Sequence, residues 1–384
     1  MYQVYQKPLK GKSIGVVFGT FAPLHQGHLD MIFRAKKEND GGVLVICCGN
    51  DVDDKGCQVG LTLTKRYRYM REFFKDDDLV SVHAIDEVGA NDYSFENWKP
   101  WLDRFEDIWM EAVDNEFLYY YGISRVWYVG EKVYYDDLTK IFESKSWQRV
   151  VLLDRTENPI SGTMIRNNPI KYWNKIALPF RREFSHNILV IGTASEGKTT
   201  LVQDLAKYFN TSHAHEWPRD YIEKHSLADW EFDANTFLSF LVGQREHTEE
   251  QKASPANNGV FFCDTDAAIT AMYACKYADE DCCAMSKNDF YDIIRPVATN
   301  IVRNTKWDKI YFLTPGNDFV DDHSRFMKHA DMSERTDMRT WLDIFIARHY
   351  GSDKVEYLPG GDYKGNFETI KKYVEGIYNN AYVD

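Results

Sequence analysis

Apolar and polar residues are arranged along the chain in two recurring patterns. Short apolar runs predict buried strands, and between them apolar residues recur at helical spacing, which predicts amphipathic helices such as Thr64–Phe74 and Trp98–Val113. Alternation of strands with helices is typical of parallel α/β domains. The predicted strands are Ser13–Phe18, Gly42–Cys48, Leu79–Ile85, Arg125–Val129, Arg149–Leu153, Asn187–Ile191, Gly259–Cys263, Lys309–Leu313 and Lys354–Leu358.

The strand–helix pattern is interrupted at residues 167–186 and then begins again. This stretch contains Pro169 and Pro179, which interrupt regular elements, and several aromatic residues that favour a packed connection over a loose linker. A length of 384 residues suits two domains. We therefore predict two α/β domains with parallel sheets, at residues 1–181 and 182–384.

Composition and charge exclude several classes of protein. Hydrophobic residues make up 44% of the chain and charged residues 27%, which is typical of globular rather than disordered proteins. No apolar run is long enough to cross a bilayer and no secretory signal is recognisable, so we expect a cytoplasmic protein without membrane insertion. The net charge of −13 argues against a nucleic-acid partner. The seven cysteines form no CxxC pair, which favours reduced thiols over a disulfide framework or a zinc site. The sequence leaves open whether the chain forms a homo-oligomer.

A phosphate-binding motif follows the first strand of the second domain. Residues 192–199, GTASEGKT, match G-x-x-x-x-G-K-[ST] between an apolar strand and an amphipathic helix. The glycines permit a tight loop whose N–H groups face a phosphate, Lys198 adds a positive charge, and Thr199 offers its hydroxyl to Mg²⁺. The predicted ATP-binding residues are Gly192, Thr193, Ala194, Ser195, Glu196, Gly197, Lys198, Thr199 and Thr200.

Acidic residues and arginines further along the second domain complete the expected site. Asp264 ends the buried run VFFCD, where it can hold Mg²⁺ together with Thr199, and Asp266 can face the substrate. Both aspartates also suit the start of the next helix. Arg325 and Arg335 follow the next strand in a helical segment that predicts a lid over ATP, although a solvated charged face is the usual meaning of such a run.

A second nucleotide-binding pattern lies in the first domain. The string GTFAPLHQGH at residues 19–28 follows a strand and places His25 and His28 at a helix start, where they can donate to the oxygens of a leaving pyrophosphate. Its companion is ISGTMIR at residues 160–166, in which Arg166 supplies a cation. The predicted catalytic residues here are His25, His28 and Arg166, and the predicted ATP-binding residues are Gly19, Thr20, Phe21, Gly27, Ser161 and Thr163.

The two motifs of the first domain resemble the nucleotidyltransferase superfamily of nicotinamide-mononucleotide and pantetheine-phosphate adenylyltransferases. Followed by a phosphate-loop kinase, the whole chain resembles the bifunctional NadR-type proteins, which join a nicotinamide-mononucleotide adenylyltransferase to a ribosylnicotinamide kinase. In the second half the resemblance extends to EWPRDY at 216–221, to Gln244, to DTD at 264–266 and to FVDD at 319–322. His323 stands where a glycine often follows FVDD. Because the first strand begins by Ser13, we expect no repressor domain before it.

The resemblance implies NAD salvage in two ATP- and Mg²⁺-dependent steps. Ribosylnicotinamide is phosphorylated to nicotinamide mononucleotide, which is then adenylylated to NAD with release of pyrophosphate. Glu216, Arg219 and Asp266 are the substrate-side candidates of the kinase, and Glu216 and Asp266 compete for the role of catalytic carboxylate. An ordinary surface ion pair is the alternative for Glu216 and Arg219.

In the first domain Trp98 is the candidate for stacking on the cationic nicotinamide ring, with core packing as its alternative. The segment 90–101 contains only one cation, Lys99, which predicts a preference for nicotinamide mononucleotide over its nicotinic-acid analogue. The competing function is an NAD- or ATP-sensing regulatory protein with only one active domain.

Overall fold

The computed structural model divides the chain into two compact units, 1–184 and 185–384, where the sequence predicted a division after Arg181. It describes residues 6–87, 98–114, 116, 118, 122–154, 159–279, 283–318 and 331–382. Each unit contains a five-stranded sheet whose strand pairs are all parallel. The predicted α/β class with two parallel sheets is therefore confirmed.

The first unit has the strand order β3-β2-β1-β4-β5. From β1 the chain adds β2 and β3 on one side of the sheet, and it then crosses to add β4 and β5 on the other side. The strand order therefore reverses between β1 and β4. In parallel α/β sheets a crevice opens at the carboxyl ends of the strands at such a position. The strands are β1 (Ser13–Gly19), β2 (Val43–Gly49), β3 (Val80–Asp86), β4 (Ser124–Val129) and β5 (Gln148–Leu152), and the helices are α1 (Gln26–Glu38), α2 (Leu63–Phe73), α3 (Trp98–Ala112), α4 (Lys132–Ile141) and α5 (Gly162–Asn167).

Helices cover both faces of this sheet, which is why its central strands are apolar without alternation. Every residue of β2, VLVICCG, is buried. One face packs against α1 and α2 through residues such as Ile32 and Met70. The other packs against an aromatic layer from α3 that includes Trp101 and Phe105.

The second unit has the strand order β10-β9-β6-β8-β7. All nine predicted strands are present, and the structure adds the two-residue β7, which is too short to leave a pattern in the sequence. The strands are β6 (His186–Gly192), β7 (His213–Ala214), β8 (Val260–Asp264), β9 (Lys309–Thr314) and β10 (Val355–Pro359). The principal helices are α6 (Lys198–Phe209), α7 (Trp217–His225), α8 (Ala234–Lys252), α9 (Ala267–Asp279), α10 (Arg295–Asn304), α11 (Met332–His349) and α12 (Tyr363–Ala381).

Apolar residues of this second sheet are likewise buried on both faces. Leu189 and Phe261 pack against α8 and α9, and Ile188 and Phe262 pack against α6 and α12. Within the described ranges, no helix combines the length and the apolar character needed to cross a membrane.

Candidate active sites

A cavity of about 340 Å³ opens in the first unit where β1 and β4 end. Gly19 ends β1 and Gly130 follows β4, so the cavity lies at the reversal of strand order. The structure brings all the sequence-predicted site residues of this unit to its wall. These are Gly19, Thr20, Phe21, His25, Gly27, His28, Trp98, Ser161, Thr163 and Arg166.

The two histidines lie one above the other at the start of α1. His25 is the N-cap residue, and its ring stacks on that of His28 with centroids 3.7 Å apart. The ring of Phe21 meets His28 edge-on at 4.9 Å. A side chain at Gly27 would bring a Cβ to 3.1 Å from Ile160 Cγ2, so Ile160 would have to shift by a few tenths of an ångström to accommodate it.

Arg166 joins the second motif of this unit to the loop after β1. Its Nη1 donates to the carbonyl oxygen of Ala22 at 2.6 Å, and its Nη2 donates to Thr163 Oγ1 at 3.0 Å. Ser161 caps α5 by accepting a hydrogen bond from the N–H of Met164 at 3.2 Å. Two motifs that lie far apart in the sequence thus form one wall of the cavity.

Trp98 belongs both to the apolar core and to the cavity wall. It is 3% exposed and meets the rings of Phe18 and Trp101 edge-on at 5.8 and 5.7 Å. Its Nε1 donates to Asp137 at 3.2 Å, which fixes the ring plane. Trp101 packs in the core and also lines the cavity. Residues 90–97 of the aromatic segment lie outside the described residues.

Several polar residues line the cavity that the sequence analysis did not single out. Glu87 and Glu131 follow β3 and β4, and the carboxyl ends of parallel strands share one edge of the sheet. Their position after predicted strands was therefore a usable signal. Asp154, two residues after β5, carried the same signal, whereas none pointed to Asp30, Arg34, Lys55 and Tyr134.

In the second unit the phosphate loop joins β6 to α6. Gly192 has a φ of 153°, and a Cβ there would lie 2.6 Å from the carbonyl oxygen of Leu313 on β9. Gly197, with a φ of 81°, caps α6. Both glycines are required by the backbone, as the motif predicts. Lys198 Nζ donates to the carbonyl oxygen of Thr193 at 2.8 Å and thereby closes the loop.

Thr199 and Asp264 meet at the carboxyl edge of this sheet. Thr199 Oγ1 donates to Asp264 Oδ2 at 2.5 Å. Asp264 is 1% exposed, and its Oδ1 has no hydrogen-bond partner among the described residues. Burial raises the pKa of Asp264, and the neighbouring Glu216 raises it further, whereas Lys198 and Thr199 lower it. A buried carboxylate oxygen without a partner, beside a threonine hydroxyl, is a donor set that suits a hydrated Mg²⁺.

Glu216 and Arg219 lie beside this pair at the start of α7. Arg219 Nε donates to Glu216 Oε2 at 2.6 Å, and both side chains are close enough to Asp264 to act on its pKa. The buried Gln244 holds this helix start in place: its Oε1 accepts from the N–H of Trp217 at 2.8 Å. The structure therefore groups Glu216 and Arg219 with the phosphate loop.

Asp266 differs from the sequence-based expectation. Its carboxylate accepts hydrogen bonds from the Ala268 N–H at 3.0 Å, from Trp307 Nε1 at 3.3 Å and from the Tyr350 hydroxyl. Burial raises its pKa. These are the contacts of a structural carboxylate that caps a turn, because all of its described partners belong to the core rather than to the phosphate loop.

Arg335 also differs from the expectation of an exposed lid arginine. It is 1% exposed, forms an ion pair with Glu196 of the phosphate loop and donates to the Asn317 carbonyl at 2.6 Å. The other oxygen of Glu196 accepts from the N–H groups of Gly316 and Asn317 at 3.2 and 3.3 Å. Arg335 is therefore a buried support of the phosphate loop. Arg325 lies outside the described residues.

Comparison with protein families agrees with this division. The profile of the cytidylyltransferase-like family matches residues 16–168, and that of the AAA domain matches residues 187–352. The folds and sites define a chain that joins a nucleotidyltransferase domain to a P-loop domain.

Two curated relatives carry the name trifunctional NAD biosynthesis/regulator protein NadR. The chain is 31% identical to that of Salmonella typhimurium over 372 residues, which cover 94% of this chain and 82% of the relative. It is 32% identical to that of Escherichia coli over 281 residues, which cover 70% and 64%. The chain belongs to the NadR family.

Two crystal structures of NadR proteins have the same fold over nearly their whole length. One is a complex with NR, with a TM-score of 0.77 and 34% identity. The other is a complex with NAD and AMP-PNP, with a TM-score of 0.76 and 32% identity. Each match covers 96% of this chain and 97% of the other.

Proposed function

We infer that this chain is a bifunctional NAD-salvage enzyme. Its second unit is a ribosylnicotinamide kinase that produces nicotinamide mononucleotide, and its first unit adenylylates that product to NAD. The observation that carries the proposal is that each sheet has its own complete phosphate site at its carboxyl edge, in a chain of the NadR family.

The kinase step transfers the γ-phosphoryl group of ATP to the 5′-hydroxyl of ribosylnicotinamide. The N–H groups of the loop 193–197 and the N-terminus of α6 attract the phosphates. Lys198 already points along the loop toward Thr193, and a phosphate oxygen is a stronger, charged acceptor for the same ammonium group. Glu196 does not contact phosphate in this mechanism, because its carboxylate is bound to Arg335 and to backbone N–H groups.

Thr199 and Asp264 are the residues that would hold Mg²⁺. Oδ1 of Asp264 supports this assignment, because no described residue donates a hydrogen bond to it. A cation beside it would favour the ionised carboxylate, which burial disfavours. Bound Mg²⁺ would neutralise charge on the β- and γ-phosphates of ATP.

Glu216 is the carboxylate that we assign to the ribose 5′-hydroxyl. It lies near Asp264 and is only partly buried, whereas Asp266 is bound to core residues. The hydroxyl proton passes to Glu216 as the oxygen attacks the γ-phosphorus, and ADP leaves. Arg219 holds the carboxylate of Glu216 in position through its 2.6 Å bond.

The adenylyl step joins two phosphates in the cavity of the first unit. The 5′-phosphate of nicotinamide mononucleotide attacks the α-phosphorus of ATP, and pyrophosphate leaves. Because the nucleophile is already ionised, no base is required, and catalysis consists of positioning and charge stabilisation by His25, His28 and Arg166. The cavity volume of about 340 Å³ lies at the lower end of the range of about 300–1,000 Å³ that is usual for small-molecule and cofactor sites.

The decisive experiment incubates the purified chain with ribosylnicotinamide, ATP and Mg²⁺ and resolves the products by chromatography. We expect nicotinamide mononucleotide first and NAD later, with one ADP and one pyrophosphate formed for each NAD. Supplying nicotinamide mononucleotide directly tests the adenylyl step alone. Tight nucleotide binding without either product would instead identify a sensing protein.

A further inference from the structure

Two residues, His215 and Glu216, connect β7 to α7 in the second unit. Glu216 is the N-cap residue of α7, yet its side chain makes no capping hydrogen bond. The backbone on either side of it is fixed from α8, because Gln244 Nε2 donates to the His215 carbonyl oxygen at 3.2 Å and Gln244 Oε1 accepts from the Trp217 N–H at 2.8 Å. Besides its bond to Arg219, the direction of the Glu216 side chain therefore depends on how this two-residue connection is held.

The imidazole ring of His215 is bound at both of its nitrogen atoms. Nε2 lies 2.6 Å from Asp220 Oδ2, and Nδ1 lies 3.1 Å from His247 Nε2. A carboxylate only accepts hydrogen bonds, so Nε2 of His215 is the donor to Asp220. The two imidazole rings meet edge-on with centroids 4.3 Å apart. A chain of hydrogen bonds thus runs from the first turn of α7 through His215 to α8.

The bond between the two histidines requires that at least one of them is neutral. A neutral ring offers an acceptor nitrogen, whereas two imidazolium rings would point N–H groups at each other. Burial, together with the neighbouring His215 and His213, lowers the pKa of His247 to about 4 against the opposing effect of Asp220. His247 is therefore neutral at neutral pH, and the chain of hydrogen bonds can form.

We propose that His215 is a positioning residue of the kinase, whose bonds to Asp220 and His247 hold the connection that presents Glu216 beside Asp264. The proposal rests on the catalytic role assigned to Glu216 above and adds a residue that acts through it. His215 directly precedes Glu216 in the chain, so a shift of the anchored ring passes straight to the carboxylate. A displacement of about 1 Å can lower turnover about a hundredfold, which makes an anchor on two sides effective.

The first test measures kcat and KM for phosphorylation of ribosylnicotinamide in three variants of His215. His215→Gln can keep a donor near Asp220, His215→Asn can keep a polar group near His247, and His215→Phe keeps only a ring. We expect His215→Phe to lower kcat at least about tenfold with little change in the KM for ATP, and the other two variants to lie between it and wild type. His225→Phe is the matched control and should leave kcat unchanged, because His225 is exposed in the last turn of α7 and its ring contacts Tyr221.

A double-mutant cycle shows whether His215 acts through Glu216. In the Glu216→Gln background, His215→Phe should have little further effect on kcat, because the group that it positions has already lost its function. Equal losses in both backgrounds, or wild-type kcat in His215→Phe, would overturn the proposal alone. Wild-type kcat in Glu216→Gln would refute the assignment of Glu216 and the proposal with it. Thermal unfolding and ATP titration check that each variant is folded, and if His215→Phe is not, His215→Gln and His215→Asn take its place in the cycle.

Discussion

Glu196 and Arg335 form a buried ion pair between the phosphate loop and α11, with side chains 0% and 1% exposed. Removing one partner of such a pair leaves a buried charge without compensation, which typically costs about 3–5 kcal/mol. We therefore expect Arg335→Met to lower the free energy of unfolding of the second unit by that amount and to weaken ATP binding. Denaturant unfolding and ATP titration measure the two effects.

Arg339 on the same helix provides the matched control. Its side chain is 39% exposed, and its Nε lies 3.6 Å from Oδ2 of Asp343, which is four residues further along the helix. Arg339→Met should cost less than about 1 kcal/mol. Equal destabilisation by the two substitutions would show that the Glu196–Arg335 pair has no special importance.

The two activities should separate by mutation. Lys198→Ala removes the cation of the phosphate loop and should lower kinase turnover by at least about a hundredfold, while supplied nicotinamide mononucleotide is still converted to NAD. His28→Ala should have the opposite effect. Loss of adenylyl transfer in folded Lys198→Ala protein would contradict the assignment of two sites.

Glu216→Gln and Asp266→Asn should affect different properties. Glu216→Gln should lower the kcat of the kinase by about a hundredfold or more with little change in stability. Asp266→Asn disturbs a buried network with Trp307 and Tyr350 and should cost about 1–3 kcal/mol of stability. Kinetics and thermal unfolding of both variants test whether Glu216 acts in catalysis and Asp266 in stability. A fully stable Asp266→Asn protein without kinase activity would instead assign the catalytic role to Asp266.

Trp98→Ala should raise the KM for nicotinamide mononucleotide about two- to thirtyfold and that for ATP much less, because ring stacking acts on one substrate alone. Trp98 is also a core residue, so a loss of stability of about 3–5 kcal/mol will accompany the change. Trp109→Ala is the control, since Trp109 is fully buried and does not line the cavity. It should destabilise without changing the ratio of the two KM values, and an equal ratio in both variants would assign Trp98 to the core only.

His83 on β3 should make the first unit sensitive to acid. Burial lowers its pKa from 6.5 to about 4. Between pH 4 and pH 6.5, His83 binds a proton in the unfolded chain but not in the folded chain. Protonation therefore favours unfolding: the contribution of His83 to the stability of the first unit is complete above pH 6.5 and is progressively lost as the pH falls toward 4. The loss amounts to at most about 3 kcal/mol. Unfolding of His83→Gln across this range should depend less on pH than unfolding of wild type, and parallel curves would contradict the assignment.

The sequence predicted those features that depend on local pattern. Gly192 and Gly197 were predictable because the backbone of a phosphate loop requires them, and His28 because it belongs to a long motif. Asp266 and Arg335 were misplaced because charge and spacing do not say whether a side chain points to solvent, to the substrate or into the core. That direction depends on packing partners such as Tyr350 and Glu196, which lie far away in sequence.

The bond from Arg166 to Ala22 joins residues 144 positions apart. During synthesis the histidine segment therefore leaves the ribosome long before the arginine that completes its site. The phosphate loop is likewise synthesised before Arg335, which lies 139 positions after its partner Glu196. Contacts of such long range slow folding. A nascent chain or a truncated fragment that ends before residue 166 would thus contain the histidine pair but not the completed catalytic centre.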